Sequence, residues 1–539
     1  MSQTKKRTII AFVIVAMIAI FFLSFAPTIT WDGAHYFNYL QIFEHAAPWS
    51  SWDIVRGPVF PIILYLGTYL FGKTVQGLLI MMMIFYFLML FVVKWIMDHL
   101  LKEEKNKVVK YAIYIVTFLL IVINPIIFGY YHTILTEFAA ITLAMVMCYL
   151  SWRWLDYSWE KGRSKFVILS LSLIAGTVIA WHLKQPYVGV TLFPAITAFV
   201  LSLFTKRGWK NFISRGLVIL MCVIALAASL SIWSTFLKHR GVNFNTSRNV
   251  TAGLGKQLVS GVNNFELVNM KKLNEDKIKD APKLTKDEKE KLIKDKNNYQ
   301  VVNIKTPKGK LVDQEILKAN KGNISTGTAL TFLAKSAVTH PYIMLEAYGS
   351  GYLALANIYP KESEDGVGYT VVKKFDIDYC HENCIIGTSV TTTKSNIFPI
   401  PDELMAKVSQ YQEYNAAPIP FRKILDFMAP VAKFLYRFLI LILPIAWIVS
   451  IVVRSVMKKL KASKKRLLDL SIILLTFSLL HNLAHVVTGA QIDRYASPNI
   501  IPILLALIIM LYIVMERKIR NRKGVQNEKE KDTIDHSSL

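Results

Sequence analysis

Ten long apolar runs divide this chain of 539 residues, and they constrain its fold more than any other feature. Each is roughly 20 residues long, the length that a helix needs to cross the hydrocarbon core of a bilayer. Because lipid offers the backbone no hydrogen-bonding partner, segments of this length cross it as helices. The sequence therefore predicts an all-α polytopic membrane bundle with about ten transmembrane helices. The runs lie near residues 8–29, 75–97, 110–128, 134–152, 165–182, 187–204, 212–236, 428–453, 467–488 and 498–515.

The excess of basic residues follows the order of these runs. The formal net charge is +26, and the short loops that carry it alternate with loops almost free of Lys and Arg. In membrane proteins the loops rich in Lys and Arg face the cytoplasm. Both termini are therefore predicted to be cytoplasmic. The positive charge is explained by membrane topology, so no nucleic-acid partner is predicted from it. The basic segments are 5–7, 102–110, 161–165, 206–215, 454–466 and 517–523; the alternate loops are 30–57, 129–133, 183–186 and 489–497.

Two apolar segments need separate interpretation. Counting 58–72 as a span would invert every later basic loop, so it is predicted to be an interfacial or re-entrant helix on the outer face. Residues 8–29 could be a cleaved signal peptide, because Ser24-Phe25-Ala26 resembles a cleavage site. Pro27 would follow the cut, however, and the run is longer than the usual apolar core of a signal peptide. A retained anchor is the favoured interpretation.

Composition divides the chain into four segments. Residues 1–237 are predicted to form an N-terminal transmembrane bundle and 238–427 a polar extracytoplasmic domain. Residues 428–515 add the C-terminal transmembrane helices, and 516–539 are predicted to be a disordered cytoplasmic tail.

The polar domain mixes two kinds of pattern. Residues 271–298 indicate charged, exposed helices, and the residues around Pro307-Lys308-Gly309 indicate a β-hairpin. Residues 328–359 are more apolar and predict helix, interrupted at His340-Pro341 and at Gly349 and Gly351, that could pack on the bundle. The prediction is an inserted α+β domain.

The four cysteines fall into two pairs. Cys148 and Cys222 lie in apolar runs and are interpreted as small apolar groups. Cys380 and Cys384 flank His-Glu-Asn in the polar domain. Two thiols and one imidazole are an incomplete zinc set, and a local disulfide is favoured in an oxidising compartment.

Ionisable residues collect on the predicted outer face. Such groups are costly at or below a membrane surface, so they usually line a cavity or meet a partner. Cations can hold the phosphate of a lipid headgroup while a carboxylate deprotonates an acceptor hydroxyl. The chain has no phosphate-binding loop for ATP and no dinucleotide fingerprint, so an activated lipid carrier would have to supply the energy. The candidates are Asp32, Tyr36, Asp53, Arg56, Glu137, Lys184, Arg494 and Tyr495.

Several of these residues have a purely structural interpretation as well. Asp32 could cap a juxtamembrane helix over 34–43. Arg56 and Lys184 could be cations that reach from the bilayer towards water. Glu137 enters an apolar run, which favours function or a buried ion pair.

A histidine pair offers a separate metal hypothesis. His481 and His485 share a helix face with Asn482 and could bind a metal, but they lack an adjacent acid. We interpret them as histidines packed within the bundle.

A series of short motifs follows the order of the apolar runs. It consists of the first-loop Asp32 and nearby Tyr36, Arg56-Gly57-Pro58, Asn124-Pro125, Thr136-Glu137, Lys184-Gln185-Pro186 and Arg494-Tyr495 followed by Pro498 and Pro502. This series resembles the bacterial polyprenyl-phosphate-sugar-dependent glycosyltransferases of the GT-C fold, which are related to protein mannosyltransferases and to the aminoarabinose transferases of lipid A. The resemblance covers residues 8–237 in order and, more weakly, 467–515.

The resemblance implies roles for particular residues. Asp32 would be the general base on the acceptor. Glu137 matches a family glutamate at the head of the fourth span and would be the second catalytic residue. Arg56 and Arg494 would contact the carrier phosphate; in the first of these motifs Gly57 replaces the first proline of a Lys/Arg-Pro-Pro element. Lys184, Tyr36 and Tyr495 would also bind substrate.

A cofactor is a separate question, because many family members carry a second acid beside the first one. Gly33 stands at that position here. A divalent metal ion would therefore need Asp53 as a second ligand besides Asp32.

The implied activity is transfer of a sugar from a polyprenyl-phosphate carrier to an envelope glycan, lipid or protein on the outer face of a bacterial plasma membrane. Two alternatives without catalysis remain open: a transporter of lipids or glycolipids, and a scaffold for envelope assembly. A transporter would be expected to show internal pseudo-symmetry, whereas seven predicted spans precede the polar domain and three follow it.

Overall fold

A computed structural model describes residues 3–25, 36, 39–52, 56–72, 75–204, 209–242, 326–339, 341–356, 419–456, 461–487 and 493–516. This part of the chain is helical and contains no strand. Its helices are α1 (Gln3–Leu23), α2 (Val59–Phe71), α3 (Val75–Leu100), α4 (Lys107–Val122), α5 (Pro125–His132), α6 (Thr136–Trp154), α7 (Arg163–Leu183), α8 (Gly189–Leu203), α9 (Trp209–His239), α10 (Thr326–Thr339), α11 (Pro341–Leu355), α12 (Ile419–Val456), α13 (Ala462–Val487) and α14 (residues 500–516).

The helices form a multi-pass membrane bundle, as the apolar runs predict. Six of those described are long and apolar enough to span a bilayer, and a seventh arises if α4 and α5 are one bent span. The predicted count of about ten is not supported, because α1 and α8 have apolar parts of only 10–17 residues and α6 is not among the candidates. The six lie in α3, α7, α9, α12, α13 and α14.

The position of α6 explains why hydropathy does not identify it as a span. It packs against α3, α7, α8 and α13, and most of its residues are buried. A helix surrounded by protein needs little apolar surface, since its polar groups can find partners inside the bundle. Thr142, for example, donates to the carbonyl oxygen of Phe85 on α3 over 3.1 Å.

The bend between α4 and α5 follows from the sequence at Asn124-Pro125. The side chain of Asn124 accepts hydrogen bonds from the backbone N–H groups of Ile126 and Ile127 at 3.0 and 3.3 Å, and therefore caps α5. Pro125 occupies the first turn, where its missing N–H group has no cost. The two helices meet at 50°.

Helix α2 is too short to span a bilayer. Its 13 residues rise about 20 Å, against a hydrocarbon thickness of about 30 Å. It runs antiparallel to α3, since Gly67 lies against Met81 and Gly77 against Gly72 at the connecting turn. The short helix predicted over 58–72 is therefore present; its location at the outer face stays a prediction.

Two of the predicted basic loops, 102–110 and 454–466, have described residues at one end of the bundle, which we call the basic end. Trp152 at the end of α6 donates its indole N–H to the carbonyl oxygen of Arg466 at the start of α13, over 2.9 Å. Tyr512 near the end of α14 donates to Glu104 in the loop after α3. The contacts join loops that the charge pattern assigns to one side, while the compartment that this end faces stays a prediction.

Only part of the polar domain is described. The helix predicted over 328–359 is present as α10 and α11, and its break at His340-Pro341 is confirmed. The interruption expected at Gly349 and Gly351 was wrong, because α11 continues through both positions. The expected β-hairpin, the charged helices over 271–298 and the cysteines Cys380 and Cys384 lie outside the described residues.

Helix α11 packs on the bundle through two tyrosines. Tyr436 on α12 donates to the carbonyl oxygen of Leu355 over 2.8 Å, and Tyr352 on α11 donates to that of Ile440 over 2.7 Å. The two unpaired cysteines in the described residues, Cys148 and Cys222, are buried in the bundle as expected.

Candidate functional site

Arg56, just before α2, meets Tyr36 from the first loop. Its guanidinium donates to the Tyr36 hydroxyl over 3.0 Å and lies 5.3 Å from the centre of that ring. Tyr36 is only 2% exposed and packs edge-on against Phe60. Trp52 holds the backbone by donating to the carbonyl oxygen of Arg56 over 2.9 Å. The structure therefore brings two predicted substrate-binding residues into direct contact.

Gly57 places the start of α2 against the end of α7. A Cβ atom built on Gly57 would lie 2.6 Å from the Cα atom of His182 and would overlap the carbonyl oxygen of the same residue. Real Cβ atoms essentially never approach so closely, and backbone atoms cannot move aside as a flexible side chain can. The glycine in Arg56-Gly57-Pro58 therefore has a local cause: any larger residue, proline included, would push the two segments apart.

Lys184, directly after α7, pairs with Glu137 in the first turn of α6. Their closest atoms, Nζ and Oε1, are 3.7 Å apart, within ion-pair range but beyond hydrogen-bond range. The Glu137 side chain is fully buried and that of Lys184 is 13% exposed. The buried ion pair that the sequence offers as one interpretation of Glu137 is present. The near burial of Lys184 also argues against a cation that extends to water.

Aromatic and polar side chains continue from Lys184 into the bundle interior. The Lys184 ammonium lies 5.8 Å from the ring centre of Tyr187, which stacks on His481 of α13. His481 in turn meets His485 edge-on, with ring centres 4.6 Å apart. Both histidines are packed within the bundle, as interpreted from the sequence.

Sequence reasoning did not single out Tyr187 or Asn499. Asn499 donates to Asn482 over 2.6 Å, and both amides are buried. The one local signal for Tyr187 is its position directly after the Lys184-Gln185-Pro186 motif.

The segment that carries Arg494 and Tyr495 lies close to these residues. It forms a 3-10 helix, Asp493–Asn499, which packs against α6, α11 and α13. The late motif of the chain is thus adjacent to the helix that Glu137 begins. Asp32 and Asp53 lie outside the described residues. Within the described ranges, no three His, Cys, Asp or Glu side chains are grouped as a metal site would require.

The close approach at Gly57 gives a direct test of how this site is assembled. We expect Gly57→Ala to destabilise the protein by about 1–3 kcal/mol, because the added methyl group must separate α2 from α7. The measurement is the unfolding midpoint in detergent. Gly216→Ala is the matched control: the nearest atom to its added Cβ is 3.8 Å away, an ordinary contact in the interior of α9, so its midpoint should not fall. Equal midpoints for Gly57→Ala and the wild type would contradict the close approach.

The close approach of Gly57 to His182 brings together the segments that carry two pairs, Arg56–Tyr36 and Lys184–Glu137. We call these four residues the outer cluster, after the membrane face on which the sequence predicts them; that face stays a prediction. The cluster holds two cations and one carboxylate at low exposure, an arrangement suited to a phosphate group and a neighbouring hydroxyl. Comparison of the chain with family models, with curated proteins and with solved structures gave no match.

Proposed function

We propose that the protein is a membrane glycosyltransferase of the GT-C type. It would take a sugar from a polyprenyl-phosphate carrier and transfer it to an envelope glycan, lipid or protein on the outer face of a bacterial plasma membrane. The observation that carries the proposal is the outer cluster, in which Arg56 and Lys184 lie on either side of the contact between Gly57 and His182. The cluster holds two cations that could bind a phosphate, as expected from the sequence, together with the buried carboxylate of Glu137.

In the proposed reaction the acceptor hydroxyl attacks the anomeric carbon of the sugar. The new bond joins the acceptor oxygen to that carbon, and the bond from the carbon to the carrier phosphate breaks with inversion. Asp32 accepts the hydroxyl proton, and the polyprenyl phosphate leaves with the electron pair. The energy of the transfer comes from the activated donor.

The cations would stabilise the charge that develops on the leaving phosphate. Arg56 offers a planar set of donors that can bind two phosphate oxygens, whereas Lys184 acts as a compact charge. Both lie where water has limited access, and fixed charges act more strongly at such sites. Arg494 and Tyr495 would approach the same phosphate from the late segment, with a metal ion as a further partner if Asp32 and Asp53 converge.

Bond cleavage distinguishes this proposal from transport. The purified chain is reconstituted in vesicles with polyprenyl-phosphate sugars and an envelope extract, and polyprenyl phosphate and free donor are followed by mass spectrometry. A transferase releases polyprenyl phosphate only when acceptor is present. A transporter would move the donor between leaflets with its sugar–phosphate bond intact, and that result would refute the proposal. Donor candidates come from lipid extracts of cells that lack the activity, in which the unused donor should accumulate.

Arg56 is predicted to contribute to donor affinity. We expect Arg56→Gln to weaken donor binding about tenfold, because a charge-assisted hydrogen bond contributes about 1.5–3 kcal/mol. Arg240→Gln is a suitable control, since Arg240 is exposed and packs on Trp49, whose ring stacks on Trp52 beside Arg56. Unchanged donor affinity in Arg56→Gln, or an equal loss in both variants, would remove Arg56 from the phosphate site.

A further inference from the structure

A second polar site lies at the basic end, away from the outer cluster. A cavity of about 300 Å³ opens between the end of α3, the end of α6 and the start of α13. Four basic residues line it, against two acidic ones, Glu103 and Asp156. The basic residues are Lys102, Arg153, Lys464 and Arg466. We call this cavity the basic-end pocket.

Two arginines of the pocket share one carboxylate. Arg466 donates to Asp156, and the Nε atom of Arg153 lies 3.5 Å from the other oxygen of the same side chain. Two guanidinium groups around one carboxylate leave an excess of one positive charge at this point. Lys464 is balanced separately by Glu516 at 2.5 Å, and the charge of the exposed Lys102 is offset by its neighbour Glu103 in the lining. The net positive charge of the pocket therefore lies at the two arginines.

The guanidinium groups are held in place by groups around them. Arg153 contacts Nε2 of His99 at 2.9 Å and donates to the Tyr157 hydroxyl over 3.2 Å. The Arg466 guanidinium is held by Asp156, and the indole N–H of Trp152 donates to the Arg466 carbonyl oxygen. Because these cations are already ordered, binding an anion between them costs little side-chain entropy.

Exposed tryptophans near the pocket indicate the depth of lipid headgroups. Trp95 lies one turn before His99 and is 46% exposed, and Trp159 is 47% exposed and carries the guanidinium of Arg163 over its ring. Exposed tryptophans beside cations are typical of the membrane–water interface. Basic pockets between transmembrane helices at this depth are sites where phosphate headgroups bind.

We propose that the basic-end pocket binds a phosphate group, carried either by an anionic lipid headgroup or by a soluble phosphate. The pocket volume admits a phosphate with a small polar substituent. The proposal is independent of the transferase activity, because none of its residues belongs to the outer cluster.

Binding is tested with the full chain in maltoside micelles, which contain no phosphate. Short-chain phosphatidylglycerol is titrated and followed by native mass spectrometry, with inorganic phosphate and glycerol phosphate as competitors. We expect one saturable site for phosphatidylglycerol. Displacement by the soluble phosphates at similar concentration would assign the site to a soluble ligand, and resistance to them would assign it to the lipid; both results support a phosphate site.

Two matched pairs of variants locate the site. Arg466→Gln should weaken binding about tenfold, equivalent to about 1.4 kcal/mol, whereas Lys465→Gln, one residue away and outside the lining, should change it less than twofold. Lys102→Gln should weaken binding about threefold, against no change for Lys105→Gln in the same loop. Both residues of this second pair are exposed, so the pair stays informative if Arg466→Gln does not fold. Absence of saturable binding by every phosphate, or equal affinities within both pairs, would overturn the proposal.

Discussion

Asp32→Asn is expected to lower sugar transfer at least about 100-fold, since general base catalysis contributes about 10²–10⁴-fold. The amide has nearly the same shape as the carboxylate but cannot accept the acceptor's proton. Donor affinity should therefore stay within a few-fold of the wild-type value, and the loss should fall on kcat. The measurement is release of polyprenyl phosphate in the reconstituted system, together with donor binding to the same preparation.

The control for this prediction comes from the same loop. Glu44 is exposed and is not a member of the outer cluster. Glu44→Gln removes the same charge from the same loop and should leave transfer nearly unchanged. If Asp32→Asn transferred sugar at the wild-type rate, Asp32 would not be the base. If it lost donor binding and kcat together, Asp32 would act in substrate binding or in holding the first loop.

The helical class of the fold could be predicted from hydropathy, but the number of spans could not. Hydropathy reports the surroundings of a helix, and a run in contact with lipid must be apolar along its length. Helix α6 meets protein on most sides, and its buried residues include the polar Glu137, Thr142 and Ser151. The same composition in a lipid-exposed helix would be costly. Only the packing of the helices in the structure shows whether such a helix is surrounded by protein or exposed to lipid.

The members of the outer cluster could be predicted as a group, whereas their pairing could not. Charge alternation assigns Arg56, Glu137 and Lys184 to one end of the bundle, and the structure brings the segments that carry them together. The contact between Gly57 and His182 depends on how α2 lies against α7, and a backbone contact of this kind has no local sequence signal. The sequence shows that residue 57 is glycine, but it does not show that the His182 carbonyl group lies where a side chain would be.

The ion pair between Lys184 and Glu137 leads to the second large effect. Removing one partner of a buried pair typically costs about 3–5 kcal/mol, because the remaining charge keeps its desolvation cost. We expect Lys184→Met to destabilise the protein by about 3 kcal/mol, at the lower limit because the lysine is 13% exposed. Reversible unfolding in mixed micelles provides the measurement. Lys94→Met is the control: its partner Asp98 lies one turn away on α3 and both side chains are about half exposed, so about 0.5 kcal/mol or less is expected.

A double-mutant cycle isolates the interaction from the loss of side-chain packing. The double variant Lys184→Met with Glu137→Leu should be less destabilised than the sum of its single variants, by at least about 1 kcal/mol. Strict additivity would mean that the two charges do not stabilise each other.

Lys184→Arg then separates the structural role from the proposed role in donor binding. If the lysine only balances Glu137, a retained positive charge should restore both stability and transfer. If it also contacts the carrier phosphate, the longer planar group should restore stability while donor affinity stays reduced, because its donors reach different positions. We expect the second pattern, restored stability with reduced donor affinity, because Lys184 pairs with the buried Glu137 and is proposed to bind the leaving phosphate.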